Sequence, residues 1–305
     1  MNMEEMKVRK VVPTDREAML TSFKPLFGDW DYLPLVIDDW ISPSAEETTW
    51  VAESGSMLIA MGQALELEPG DWYLHGLRSN PKTSLFQIGC AILGIKRVIQ
   101  KELEARGART LRYGTLPWFQ QSLRMGALFG FKEHFRLGHR GHPLPEIPDE
   151  VEGIKVDVPE EPSSLLKYFR ESSTLKPVEG YFFTWWDTRQ LREKHLVEGR
   201  RQNLLFTAMK GRQMVGAAMF WHIPWQKFLV FSIMEGTDQA LKALYEAGVS
   251  AARRLECNAI GMVHPSLEEM HRRQALFSLE PSGCDTVQLI YHLYDTRGRV
   301  DKVEG

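Results

Sequence analysis

The sequence predicts an α/β protein made of two similar tandem domains, each a mixed β-sheet with helices on both faces. Three observations carry this. The chain has 305 residues, room for two domains of ordinary size. A stretch at 138–153, GHRGHPLPEIPDEVEG, holds three prolines and three glycines and no apolar periodicity, so it divides the chain. The two parts then repeat one order of elements at a constant interval. The reading is a first domain over residues 1–140, a Pro/Gly linker over 141–153 and a second domain over 154–305.

Each part opens on a strand and a helix, VRKVVPTDREAML and IKVDVPEEPSSLLKYF. Thr14 and Glu17 have capping-box spacing at the first of these helix starts. A hairpin follows: TWVAESGSMLIAMGQALEL with its turn at Glu53–Ser56, and LLFTAMKGRQMVGAAMFW with its turn at Met209–Arg212. Gly55 and Gly211 occupy the same point of the two hairpins, 156 positions apart. Third strands come next, WYLHGLRS at 72–79 and KFLVFSIME at 227–235. Each leads to a helix. Leu85, Ile88, Ile92, Ile95 and Ile99 step by three and four, and so do Leu241, Leu244, Gly248, Ala251 and Leu255. That spacing gives one apolar helix face on a sheet. Leu85 and Leu241 are again 156 apart. A short strand (LRYGT, AIGMVH), a short helix and a last strand complete each part. The pattern is a mixed sheet and not a run of βαβ units.

Composition narrows the function classes. The formal net charge is −3 and the pI about 6.3, so there is no concentrated basic face and no nucleic-acid partner is expected. No segment approaches the apolar length that spans a bilayer, and the first residues lack a signal-peptide run, so no membrane partner is expected. Cys90, Cys257 and Cys284 are scattered, and His222, His264 and His271 lack ligand spacing. The sequence therefore predicts no metal, no disulfide framework and a reducing cytoplasm. The oligomeric state is left open.

The chemistry-bearing run is LHGLRSNPKTSLFQIGCAIL at 74–93, a strand, a proline and a helix start containing glycine. Gly130-Phe131 follows a short helix, and GDWDYLPLVIDDW occupies 28–40. On these residues the N-terminal part resembles the GNAT superfamily of acyl-CoA-dependent acetyltransferases, over most of residues 7–140. Pro81 falls at the family's proline, and Ile88 and Gly89 at the end of its glycine-rich loop. The Asp-Tyr-Leu-Pro run is similar to a subgroup that includes histidine N-acetyltransferases. In the C-terminal part the resemblance rests on topology and the repeat. The sequence departs from the family pattern at Ser84, where the loop's arginine stands, at Leu85 and Gln87, where its first two glycines stand, and at Gly126, where a tyrosine often serves as general acid.

The resemblance implies acetyl-CoA as co-substrate, with Leu77, Arg78 and Ser79 along the strand that takes the pantetheine arm. Lys82, Thr83, Ser84, Gln87, Ile88 and Gly89 would then meet the pyrophosphate, where backbone N–H groups and a helix dipole favour negative charge. Ser84 and Gln87 also have capping-box spacing, which would satisfy the same donors with no ligand. His75 stands where some amine acetyltransferases of the family carry a histidine base; the other reading is an inert, hydrogen-bonded strand histidine. Asp31 and Tyr32 fall on the acceptor side by resemblance, or form a turn before Pro34; Glu66 faces the acceptor or solvent. In the second part, Tyr245 replaces the loop's last glycine by count, and Glu235 and Asp238 sit where pyrophosphate would be repelled. Its aromatic run, Tyr181-Phe182-Phe183 with Trp185-Trp186, reads as an acceptor pocket or a domain seam. The expected function is transfer of an acetyl group to a small amine or amino acid. The alternative is a catalytically inactive binding or regulatory protein on the same fold.

Overall fold

The computed structural model describes residues 6–23, 31–42, 46–128, 130–147, 151–185, 187–280 and 283–292. Gly28–Trp30 of the first loop and Trp186 lie outside the described residues. The chain forms two units. The first holds residues up to Tyr113, with Gln121–Glu133 and residues 289–292; the second holds Gly114–Gln120 and His134–Gln288.

In the first unit, β1 (Met6–Lys10) is followed by helices α1 (Arg16–Phe23) and α2 (Leu33–Trp40). Then come β2 (Glu47–Ser54), β3 (Met57–Glu68), β4 (Asp71–Ser79), α3 (Leu85–Ala105), β5 (Thr110–Thr115) and α4 (Gln120–Leu128). The strands lie in the order β1-β2-β3-β4-β5. All pairs are antiparallel except β4 with β5. One sheet face is covered by α1 and α2 through Met19, Phe23, Leu33, Ile37 and Trp40, packed on Val51 and Met61. The other is covered by α3, whose Ile95 and Ile99 lie against Gly62.

The second unit repeats this with insertions. Its elements are β6 (Lys132–Pro143), β7 (Lys155–Asp157), α5 (Leu165–Arg170), β8 (Tyr181–Phe183), β9 (Thr188–Gln190) and α6 (Glu193–Arg201). They continue with β10 (Leu205–Lys210), β11 (Gln213–Ile223), β12 (Phe228–Gly236), α7 (Asp238–Arg254), β13 (Ala259–His264), α8 (Leu267–Leu276) and β14 (Cys284–His292). The strands β7-β10-β11-β12-β13 follow the order of β1 to β5, again with one parallel pair, β12 with β13. Gly55 and Gly211 sit in two-residue hairpin turns with the same left-handed φ of +61°, a conformation that costs glycine little.

Three expectations are corrected. Residues 138–143, read as the start of a linker, are strand: Gly138–Pro143 pairs antiparallel with His264–Ala259. At Gly138 the missing side chain serves packing, since a Cβ there would come within 3.2 Å of Leu267, while one at Gly141 would make only ordinary contact with Phe228. Leu85, expected on the buried face of α3, is 80% exposed, whereas Leu241 is 1% exposed. The helices begin 153 positions apart, not 156, because five residues join β4 to α3 and only Thr237 joins β12 to α7. Finally, the aromatic run packs inside the second unit: Phe182 and Phe183 are buried, and Trp185 lies 4.6 Å from Phe228.

Candidate functional site

The centre of the first unit is a bulge in β4. Met61 is paired with Arg78 and Gln63 with His75, so Gly76 and Leu77 together oppose Gly62. One extra residue bends a strand and sharpens its twist. Gly76 carries the bend in left-handed backbone, φ +61°, and a Cβ there would approach the Trp40 ring to 2.5 Å. Beyond the bend β4 leaves β5. The parallel pairing with β5 covers Asp71–Tyr73 with Thr110–Arg112 and does not continue along 74–79. The result is an open strand edge whose backbone groups can pair with an extended ligand, as in strand addition.

The loop after β4 is anchored by Asn80, which the sequence reading did not single out. Its N–H donates to the Ile59 carbonyl at 2.8 Å and its Nδ2 to the Leu58 carbonyl at 2.9 Å. Its Oδ1 accepts from the Lys82 N–H and its carbonyl from Thr83 Oγ1. The capping box is closed: Ser84 Oγ accepts the Gln87 N–H at 3.3 Å, and Gln87 Oε1 accepts the Ser84 N–H at 3.2 Å. Leu85 and Phe86 present the first two N–H groups of α3, which an α-helix leaves without intrahelical partners. Both side chains are exposed, as is Lys82, while Thr83, Ile88 and Gly89 are half-buried. A Cβ at Gly89 would meet nothing within 4 Å.

Asp31, Tyr32 and Arg78 come together in one buried cluster. Arg78 Nη1 lies 2.5 Å from Asp31 Oδ2, with side chains 1% and 0% exposed, and its guanidinium stacks 4.9 Å over Tyr32. Asp31 Oδ1 also accepts the Leu33 N–H at 2.9 Å at the start of α2. The charge of Arg78, expected along the strand of the pantetheine arm, instead ties the start of α2 to β4. Burial raises the Tyr32 phenol above its usual value. Ser79 pairs with Ala60, and Leu77 turns toward Gly62 under α3. Glu66 Oε1 accepts the Gly70 N–H at 2.8 Å, which closes the turn between β3 and β4 and does not bring Glu66 to His75.

His75 is half-buried and meets the edge of Trp40, ring centroids 5.4 Å apart. In the same face it is registered with Gln63, and Gln63 with Thr49. Gln63 Nε2 donates to Glu47 Oε2 at 3.3 Å. None of Thr49, Gln63 or Glu47 was singled out from the sequence. The one available signal was Gln63, a lone amide inside the apolar run MLIAMGQAL.

The corresponding place in the second unit is filled. The pairing of β12 with β13 also stops early, at Phe231 with Met262. There Arg273 Nη1 donates to the Met234 carbonyl on the freed stretch, and Arg273 Nε is 2.8 Å from Glu269. Glu235 accepts the Thr174 N–H at 2.6 Å and Ser173 Oγ at 2.9 Å. Tyr245 does not crowd the helix start, as its count suggested; it is buried, stacked on Phe277 at 4.3 Å, and burial pushes its phenol up to about 12. Closure comes instead from the one-residue connection and from Arg273. Among the described residues no group of three or more His, Cys, Asp and Glu is placed to hold a metal ion, and no helix is long and apolar enough to cross a membrane.

Five strands in this order with one parallel pair, a splayed fourth strand and a helix starting beyond it define the GNAT acetyltransferase fold, present here twice in tandem. Solved structures agree over the full chain. A GCN5-related N-acetyltransferase from Sphaerobacter thermophilus superposes with TM-score 0.65 at 12% identity, covering 96% of this chain and 97% of that one. A tandem GNAT protein from the clavulanic acid biosynthesis pathway gives TM-score 0.60 at 12% identity, covering 95% and 99%. A putative acetyltransferase from Pyrococcus horikoshii gives 0.56 at 13%, covering 96% and 91%. No family model matches the chain, and no curated protein matches its sequence. At these identities the likeness is one of fold.

Proposed function

We propose that the chain is an acyl-CoA-dependent N-acyltransferase that takes its donor in the first unit alone and transfers an acetyl group to an amine. The observation that carries this reading is the asymmetry of the two splayed strands. In β4 the edge at 74–79 is open and leads through a five-residue loop to the start of α3. In β12 it is capped by Arg273 and followed at once by α7.

The open edge would pair with the pantetheine arm, and the N–H groups of Leu85 and Phe86, with Lys82, would receive the pyrophosphate. His75 takes one proton from the acceptor's nitrogen. The freed lone pair attacks the thioester carbonyl carbon to form the new C–N bond, the C–S bond breaks, and the second proton lost by the nitrogen passes through water to the leaving sulfur. The fold of the solved neighbours, one of them described as without AcCoA, supports an acyl-CoA donor. One observation favours the other reading, a binding or regulatory protein without a donor: Asn80 and the closed capping box already satisfy most of the loop's donors.

Thermal-shift measurements with CoA, acetyl-CoA and longer acyl-CoAs separate the two. Ligand at 100 times its Kd should stabilise the chain by about 2.7 kcal/mol. Gly89→Glu should abolish that shift, because it puts bulk and negative charge into the open space beside the helix start. The variant itself should fold, since glutamate is the better helix former by about 0.5–1 kcal/mol. Absence of any shift in the wild type would favour the binding-protein reading.

A further inference from the structure

A row of polar side chains crosses the apolar sheet of the first unit. Thr49 on β2, Gln63 on β3 and His75 on β4 are successive cross-strand partners, so the row spans about 10 Å at the usual strand spacing. Val51 and Met61, two residues from Thr49 and Gln63 on their strands, pack with Ile37 and Trp40. The row therefore lies on the face that α2 covers. Thr49 is 5% exposed and Gln63 0%.

This row is short of donors. Gln63 spends its Nε2 on Glu47, which turns Oε1 the other way. Among the described residues, Gln63 Oε1 and Thr49 Oγ1 are buried and have no hydrogen-bond partner. Buried orphan acceptors are costly and rare in native proteins. Beside them, burial and then the carboxylates of Asp39 and Glu46 raise the Glu47 carboxyl above its usual range. The corner thus offers three oxygen acceptors and an excess of negative potential. The group that fits is a primary ammonium, which has three N–H donors, one positive charge and no acceptor of its own.

Building on the acyltransferase reading above, we propose that the acceptor is a basic primary amine whose ammonium is received by Glu47, Gln63 Oε1 and Thr49 Oγ1, next to His75. The same acids disfavour an acceptor with a carboxylate beside its nitrogen, since like charges repel. This selects an alkylamine or polyamine over an α-amino acid. His75, the next member of the row, takes the ammonium's proton, and the freed lone pair is then available for attack.

The test uses the full chain with 1,4-diaminobutane and leucine as probes. With acetyl-CoA, 1,4-diaminobutane should be acetylated with a kcat/KM at least tenfold above that of leucine. Glu47→Gln should raise the amine KM at least tenfold and leave the acetyl-CoA KM unchanged. Thr49→Val removes an orphan hydroxyl, so it should keep or raise the melting temperature while still raising the amine KM. Equal use of both probes, preference for leucine, or an unchanged amine KM in Glu47→Gln overturns the proposal while the acyltransferase reading stands. Should no acetyl transfer occur, calorimetry with 1,4-diaminobutane alone decides. Binding that Glu47→Gln weakens tenfold supports the amine site and removes the enzyme reading. Absence of binding, or binding indifferent to Glu47, means that the row holds water only and overturns the proposal.

Discussion

Asp31→Ala should destabilise the first unit by about 3–5 kcal/mol, because it leaves the Arg78 guanidinium buried without its carboxylate. The melting transition of that unit should fall by about 10 °C or more. The loss is not a measure of the ion pair's net worth. Burying both charges costs desolvation that their attraction only partly offsets, so Asp31→Leu combined with Arg78→Met should recover most of the stability. Asp31→Leu, Arg78→Met and the double change form a cycle with the wild type whose coupling is large, since the groups touch. Asp31 also caps the start of α2 through the Leu33 N–H, a smaller term of about 1 kcal/mol that the double variant does not restore. Denaturant melts of the four proteins check this. A cost below about 1 kcal/mol for Asp31→Ala would mean that Arg78 reaches solvent and is not committed to Asp31.

His75→Ala should lower kcat/KM by about 10²–10⁴-fold, the usual loss for a missing general base. The neutral imidazole is the form that accepts a proton. The wild-type kcat/KM should therefore fall in acid, and the variant should lose that dependence. The acceptor's own ammonium adds a second rise at higher pH. His75→Gln keeps a planar polar side chain against Trp40 and across from Gln63 but cannot take up the proton. Similar slow rates for Ala and Gln mean a chemical role. A near-normal rate for Gln with a slow Ala means that His75 only shapes the packing under α2. Normal rates in both place the base elsewhere.

What could be read in the sequence was local. Gly55 and Gly211 announce their turns because a two-residue hairpin needs left-handed backbone. Ser84 and Gln87 announce a capping box because the spacing alone brings them together. The order of strands and helices follows from apolar periodicity. What escaped depends on contacts distant in sequence. Asp31 and Arg78 are 47 residues apart, and nothing local tells a turn aspartate from one that pairs with a buried guanidinium. Residues 138–143 carry the composition of a loop, yet they pair with β13, and Gly138 makes room for Leu267 on another element. Leu85 keeps the helical period of its neighbours, but α3 begins four positions later relative to its strand than α7 does, and its first turn stands clear of the core. The row of Thr49, Gln63 and His75 exists only once β2, β3 and β4 are in register.

The central claim is that the fold is duplicated and the donor site is not. Titration calorimetry of the full chain with acetyl-CoA tests it most directly. One site per chain is expected, lost in Gly89→Glu and kept in Arg273→Met, which removes the cap from the freed strand of the second unit. Two equivalent sites, or a single site that survives Gly89→Glu and disappears in Arg273→Met, would contradict it.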